Sequence, residues 1–300
     1  MNEYSSDMCA ALLFTTRLGM EDSKRYPAPF SLQRWRSIVQ RLTVYQADEM
    51  LLLYKDQQSI ADVVGEKNAV RILALRNGRQ LRNALHAIAA QGIGLLFEND
   101  ENYPRALFAL EKDRPPILYF RGEAKLLQEA TGRIGIVGTR DADADSLRFA
   151  RGLALSAAKK GYATVSGGAL GVDAEVHHTS MKSGGASVFV LPYGLQCTAA
   201  LRWLEHVTTT HLFLSEQEPT TIFSAPNALL RNRMIYALGK PTVVISSHLR
   251  KGGSWSGATD ALRRNFSVYV RNVEDDGALQ ALVTMGAHRL PIPDIEHLQC

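Results

Sequence analysis

Cysteine is scarce in this chain of 300 residues, which carries three of them, Cys9, Cys197 and Cys300, far apart. That scatter excludes a disulfide framework and a paired zinc site, and it suits a reducing compartment. Long apolar runs are missing as well. Nothing approaches the roughly eighteen consecutive apolar residues of a membrane span, and no basic-then-apolar leader opens the sequence. A cytoplasmic protein with no membrane contact is therefore expected. Charge of one sign is in little excess: 34 basic against 30 acidic residues leave a net +4. Such a balance identifies no partner, and where the basic residues cluster says more. There is no internal repeat and no low-complexity tract.

Signatures of catalysis are equally thin. The first glycine turn reads Gly135-x-x-Gly138, without the third glycine of a dinucleotide fingerprint. No acidic residue ends the next strand to take a ribose hydroxyl. A Walker lysine, a nucleophile elbow and a zinc-ligand pair are absent too. No catalytic residue, no cofactor and no metal are expected, and the chain reads as a binding protein rather than an enzyme.

What is present is organised around Arg133 to Asp173. Ile134-Gly135-Ile136-Val137 is a short apolar run suited to a buried parallel strand. After Gly138-Thr139-Arg140 and an acidic turn, Leu147, Ala150, Leu153, Ala154 and Ala157 have helical spacing, and Gly161 closes the helix. Ala163-Thr164-Val165 begins the next strand, which breaks into Ser166-Gly167-Gly168-Ala169-Leu170-Gly171-Val172-Asp173. Strand, glycine turn, helix, repeated, implies an α/β doubly wound, mainly parallel sheet of Rossmann-like type. Further strands are expected at 186–192, 211–216, 241–246 and 267–270. Helices fit between them at Asp173–Lys182, Thr198–Glu205, Arg231–Ala237 and Ser256–Arg264.

Three parts follow from this pattern: a small helical module over 1–91, the Rossmann-like domain over 92–275, and a short C-terminal tail over 276–300. In the module, residues 1 to about 28 lack periodicity, and the tract from Lys24 to Phe30 reads as an arm. Ser31 can cap a helix over Leu32–Leu42, Tyr45–Lys55 is a second, and Ile60–Leu75 is broken by a turn at Val63–Glu66. Gly78–Ala90 places Leu81, Leu85, Ile88 and Ala89 on one face. This grain is that of a SAM or helix-hairpin-helix module, and equally of an ordinary bundle.

Glycine turns at strand ends let backbone amides approach an anion, and a helix N-terminus adds positive charge there. Phosphate is the expected guest. Arg140 could fork onto it, or could be a surface arginine with an acidic partner. Gly138, Thr139, Ser166, Gly167, Gly168 and the amides around Gly171 could line the same pocket. Asp173 most simply caps its helix, and His177, a turn on, faces the pocket or packs beneath it. Arg231-Asn232-Arg233 forms a second basic cluster; on a helix its arginines point about 200° apart, so one would bind phosphate while the other braces the sheet. Lys251 and Ser254 lie in a third polar turn, where Trp255 could stack on a base or be buried. Glu216 is the one pocket carboxylate to nominate if there were catalysis.

At these residues the chain resembles the DprA/Smf family of DNA-processing proteins. Val137-Gly138-Thr139-Arg140, the run Ser166–Asp173 with His177 four residues on, Ser215-Glu216 and Arg231-Asn232-Arg233 match its motifs in order. Tyr103-Pro104 and Pro116–Gly122 resemble its entry segment. The resemblance implies an extended Rossmann-like fold and single-stranded DNA binding. It also implies protection of incoming DNA, help in loading a RecA-type recombinase during transformation and recombination, and a homodimer. Departures from the family pattern are Leu170, where many members carry a basic residue, Asp145-Ser146 in place of Tyr-Gly, and Ala228-Leu229 in place of Phe-Pro. The acidic run Asp141, Asp143, Asp145 beside the pocket should repel a phosphate backbone. Those features keep a second reading open: a Rossmann-like small-nucleotide sensor or phosphoribohydrolase-like protein, as found in phage defence. The Pro-Gly-Gly-x-Gly-Thr signature of the phosphoribohydrolases is absent.

Overall fold

A computed structural model of the chain describes residues 4–20, 25–128, 130, 132–204 and 209–298. Lys24, Glu205 and Cys300, named in the expectations above, lie outside the described residues. The chain divides into two compact units, Met1–Asp100 with Lys112–Leu118, and Glu101–Glu111 with Tyr119–Cys300.

The first unit is built from α1 (Ser6–Thr15), α2 (Leu32–Val44), α3 (Glu49–Tyr54), α4 (Gln57–Val64), α5 (Glu66–Leu75), α6 (Gly78–Ala89) and β1 (Gly94–Phe97). Ser31 caps α2 by accepting from the Arg34 amide. Asp56 caps α4 in the same way. The expected helix from Tyr45 starts later, at Glu49, because Gln46 turns the chain at φ +53° and Asp48 then provides a cap. Gly65, at φ +87°, separates α4 from α5. On α6, Leu81, Leu85 and Ile88 are buried, while Ala89 is exposed. In this unit the helix missing from the expected set is α1. Cys9 through Phe14 are all buried, so α1 has no polar face and no 3.6-residue alternation to detect.

In the second unit the strands are β2 (Ile117–Gly122), which enters it at Tyr119, β3 (Arg133–Val137), β4 (Ala163–Ser166), β5 (Ser187–Val190), β6 (His211–Ser215), β7 (Thr242–Val244), β8 (Val268–Arg271) and β9 (His288–Leu290). They run in the order β2-β6-β5-β4-β3-β7-β8-β9. Every neighbouring pair is parallel except β2 with β6, which pair from Tyr119↔Ser215 to Gly122↔Leu212. The crossovers carry α7 (Ala144–Lys159), α8 (Val172–Lys182), α9 (Thr198–Leu204), α10 (Ala225–Leu238), α11 (Gly252–Arg263) and α12 (Gly277–Thr284). The doubly wound, mainly parallel sheet is thus the observed architecture.

Alternation along β3 assigns the two faces. Ile134 and Ile136 join Ala150, Leu153 and Ala154 of α7 and Val172 and Val176 of α8 in one core. Gly135, between them, faces the other way. There Gly239 follows α10, so close that a side chain on it would collide with the Gly135 backbone. Local signals set the helix ends. Asp143 accepts from the Ser146 amide at 2.6 Å to cap α7, and Gly161 leaves it at φ +74°. Ser224 caps α10, with Pro226 in the first turn, so this helix begins well before Arg231.

Within the segment 276–300, expected to be a tail, α12 and β9 form and β9 completes the sheet. β9 pairs with β8 through Val270↔Arg289, and Leu290, Ile295 and Leu298 enter the core. A strand of only three residues, two of them His288 and Arg289, is too short to show a period of two.

Successive strands β4, β5 and β6 step away on one side of β3, and β8 and β9 step away beyond β7 on the other. The connections leaving β3 and β7 therefore diverge, and a crevice opens beyond their carboxyl ends. That is the place where such sheets take ligands.

Candidate functional site

The crevice contains a cavity of about 660 Å³. Gly138, Thr139, Arg140 and Asp141 line it from the end of β3, and His248 and Lys251 to Ser254 from the end of β7. Phe223, Ala228, Arg231, Asn232 and Tyr236 close it from the α10 side. A smaller cavity of about 240 Å³ adjoins it over Gly167, Gly168, Leu170 and Tyr193, and the two share Arg140, Ala169, Phe223, Ala228 and Arg231.

The first glycine turn is held rigidly. A side chain on Gly138 would strike Val172, so the strand end and the α8 start interlock only because the residue is glycine. The Thr139 amide donates to Ser246 Oγ at 3.0 Å, the two hydroxyls lie 3.0 Å apart, and the Thr139 carbonyl accepts from the Val172 amide at 3.3 Å. The turn therefore offers an incoming anion no Thr139 amide. It offers Arg140, whose side chain is exposed and whose Cζ lies 5.8 Å from the Phe223 ring centroid.

The second glycine turn differs from expectation. Asp173 does not cap α8, whose N-cap is Gly171 with no side-chain cap bond. Its carboxylate accepts instead from the Gly167 amide at 3.1 Å and the Ala169 amide at 3.3 Å. The amides predicted to cradle a phosphate already hold an anion, the chain's own. Burial pushes the Asp173 carboxyl above its ordinary pKa, and Arg231 beside it works in the opposite direction. Gly167 is pinched between these groups; a Cβ there would lie 2.5 Å from the Arg231 guanidinium and 2.6 Å from Asp173. Ser166 is also spent within the fold, donating to the Ile136 carbonyl at 2.7 Å. Gly171, at φ +73°, packs against the backbone of Thr139 and Arg140.

Both arginines of Arg231-Asn232-Arg233 are buried. Arg231 Nη1 donates to the Gly167 carbonyl at 2.6 Å and to the Val190 carbonyl, tying the ends of β4 and β5 to α10. Arg233 forms a two-pronged ion pair with Glu216 at 2.6 and 2.9 Å, both side chains being less than a tenth exposed. Of the triplet, the half-buried Asn232 lines the cavity together with Arg231, and its Nδ2 donates to the Gly253 carbonyl at 3.0 Å, fixing the third turn. Both arginines are thus bonded within the fold, and of the two Arg231 also lines both cavities. Their partners lie far away in sequence, which is why spacing alone could not show it.

His177 sits beneath the site. It is fully buried, stacked on Phe189 at 3.5 Å between centroids, with Nδ1 2.7 Å from Ser187 Oγ. Burial, then neighbouring His211, hold its pKa well below the usual imidazole value. Ser166, Gly171, His177, Arg233 and Glu216 line neither cavity. With Glu216 locked to Arg233, it is not placed as a pocket acid or base. Lys251 and Ser254 do line the larger cavity, and the Lys251 side chain is exposed. Trp255 lines neither. The aromatics at the site are Tyr236 on the larger cavity, Tyr193 on the smaller and Phe223 on both, and the signal for Phe223 was available only as an apolar residue just before the cap Ser224.

The acidic run is less repulsive than it reads. Asp143 caps α7, and Asp145 pairs with Arg148. Only Asp141 reaches the larger cavity, where it pairs with His248 Nε2 at 3.0 Å. Its own backbone amide, followed by His248, keeps its carboxyl below the ordinary range. Among the described residues no group of three or more His, Cys, Asp or Glu could hold a metal ion, and no helix is long and apolar enough to cross a membrane. Cys9 and Cys197 are buried free thiols.

Residues 94–292 match the family described as DNA recombination-mediator protein A. The chain is similar to the DNA processing protein DprA of Bacillus subtilis, with 30% identity over 211 residues covering 68% of this chain and 70% of that protein. It spans about half the length of the Smf protein of Synechocystis, 48% of it, at 29% identity over 63% of this chain. Among solved structures, DprA from Streptococcus pneumoniae shares the fold over 90% of this chain and 94% of that one, with a TM-score of 0.72 at 20% identity. DprA from Helicobacter pylori, a structure described for its single-stranded DNA binding mode, covers 67% of this chain and 92% of its own, with a TM-score of 0.58 and 28% identity.

Proposed function

The chain belongs to the DNA recombination-mediator protein A family, and on that premise we propose that it binds single-stranded DNA through the crevice beyond β3 and β7. In this reading the protein acts in the cytoplasm without catalysis, as a homodimer. It shields single strands and assists their transfer to a RecA-type recombinase during uptake and recombination. The observation that carries the reading is the position of Arg140: an exposed guanidinium on a rigid glycine turn, at the wall shared by both cavities. Lys251 adds a second exposed cation on the opposite wall. Arg140 and Lys251 would take backbone phosphates, and most of the affinity would be electrostatic. Arg231, Arg233, Asp173 and Glu216 would hold the crevice in shape, contributing through rigidity.

A small-nucleotide ligand is the second reading. It is favoured by Leu170, which is exposed beside the smaller cavity where a cation would have extended the phosphate track. Fluorescence anisotropy with a labelled single-stranded oligonucleotide, followed across a salt series and challenged with mononucleotides, separates the two. The proposal expects binding that weakens steeply with salt and survives millimolar mononucleotide. Absence of strand binding by the folded protein at low salt, with saturable mononucleotide binding instead, would replace it with the second reading.

A further inference from the structure

Phe223 is a large apolar side chain left half in solvent at the site. It is 45% exposed, stands in the connection just before the α10 cap, and lines both cavities. The Arg140 guanidinium lies over one face of the ring, its Cζ 5.8 Å from the centroid and within reach of a cation–π contact, which leaves the other face for a base. Leu170 on the smaller cavity and Leu229 on the larger are also exposed, at 63% and 49%. The wall between the cavities is therefore apolar at its crest and cationic at its flank. Phosphate recognition has no use for an apolar crest. Unstacked bases do, because every base presents a flat face that an aromatic ring can cover.

We propose that Phe223 is the platform on which one nucleobase of a bound single strand stacks, with Arg140 taking the adjoining phosphate, so that neighbouring nucleotides occupy the two cavities. The inference rests on the single-strand reading above and deepens it. Bases in a duplex are already stacked on one another, so this subsite selects single strands without reading their sequence. Ala228, with its small side chain, lines both cavities beside Phe223. Leu170 supplies apolar wall to the smaller cavity.

The test compares a labelled oligothymidine with an abasic strand of equal length, which keeps every phosphate and removes every base. Binding of both strands to the full chain is measured for the wild type, Phe223→Ala and Phe223→Tyr. The wild type is expected to prefer the base-bearing strand by about tenfold, the order of effect found for one base stacked on an aromatic side chain. Phe223→Ala should abolish that preference by weakening only the base-bearing strand, and Phe223→Tyr should restore it. An unchanged melting temperature would show that the loop variant is folded. Equal weakening of both strands by Phe223→Ala would overturn the proposal, marking the ring as a mere support for Arg140. So would a wild type that binds both strands equally well. A wild type that binds neither strand would overturn the single-strand reading itself, and this subsite with it.

Discussion

After β3, the turn Gly138-Thr139-Arg140 leaves its charged side chain in water; after β4, the turn Gly167-Gly168 closes over a carboxylate of its own chain. Both follow parallel strands and both precede helices, so both meet the usual description of an anion site. The difference lies in Asp173, which accepts from the Gly167 and Ala169 amides, and in Arg231, which covers the pair from α10. Free amides near a helix N-terminus bind whatever anion is closest, and here the closest anion is covalently attached. The same contrast separates the arginines. Arg140 is exposed and available, whereas Arg231 and Arg233 are buried and committed.

If that division is right, removing a committed arginine should damage the fold more than any change at the first turn. Arg233→Ala would leave Glu216 buried without its partner, and losing one half of a buried pair costs about 3–5 kcal/mol. Urea denaturation should show that loss as a lower midpoint with an unchanged slope. A midpoint near the wild-type value would mean that Glu216 finds water and that Arg233 is not a brace. Gly167→Ala forces a methyl between Arg231 and Asp173 and should destabilise by roughly 1–3 kcal/mol, the usual cost of overpacking. The equivalent change at Gly161, where a Cβ meets nothing within 4 Å, tests backbone strain alone, since φ is +74° there.

A slope with pH gives a smaller effect. His177 is neutral in the folded protein and has a depressed pKa, so the unfolded chain binds the proton more readily. The stability this contributes is fully present above the unfolded imidazole value of about 6.5 and is lost as pH falls from there toward the folded value. One such group changes stability by at most about 1.4 kcal/mol per pH unit. Chemical denaturation between pH 7.5 and 5 should show the decline, and His177→Asn should flatten it. A decline that is unchanged in the variant would place its origin in another group.

The sheet was legible because β3 to β6 are buried on both faces, so that their centres read as short apolar runs. The exposure of Arg140 was legible for a local reason: it depends on the turn that carries it. The roles of Arg231, Asp173 and Glu216 depend on groups 64, 6 and 17 residues away, and no local pattern encodes which of several carbonyls or carboxylates a guanidinium will meet. Motif resemblance marked these residues as belonging together, and each of them is hydrogen-bonded within the fold. Uniform burial hid α1, and Phe223 was hidden because an isolated phenylalanine before a helix cap reads as core. Residue type alone leaves Trp255 open between stacking and burial, and it lines neither cavity.

Least is expected to change in the fold when Arg140 is replaced, and that contrast gives the most direct test of the account. Single-stranded oligonucleotide affinity should be measured from low to moderate salt for the wild type and for Arg140→Ala, alongside the denaturation midpoint of each. The account predicts that Arg140→Ala keeps its stability within about 0.5 kcal/mol, binds about tenfold more weakly at low salt, and has a log–log salt slope shallower by about one contact. An Arg140→Ala protein that binds with wild-type affinity and wild-type slope would contradict it, and would return the phosphate contact to the buried cluster.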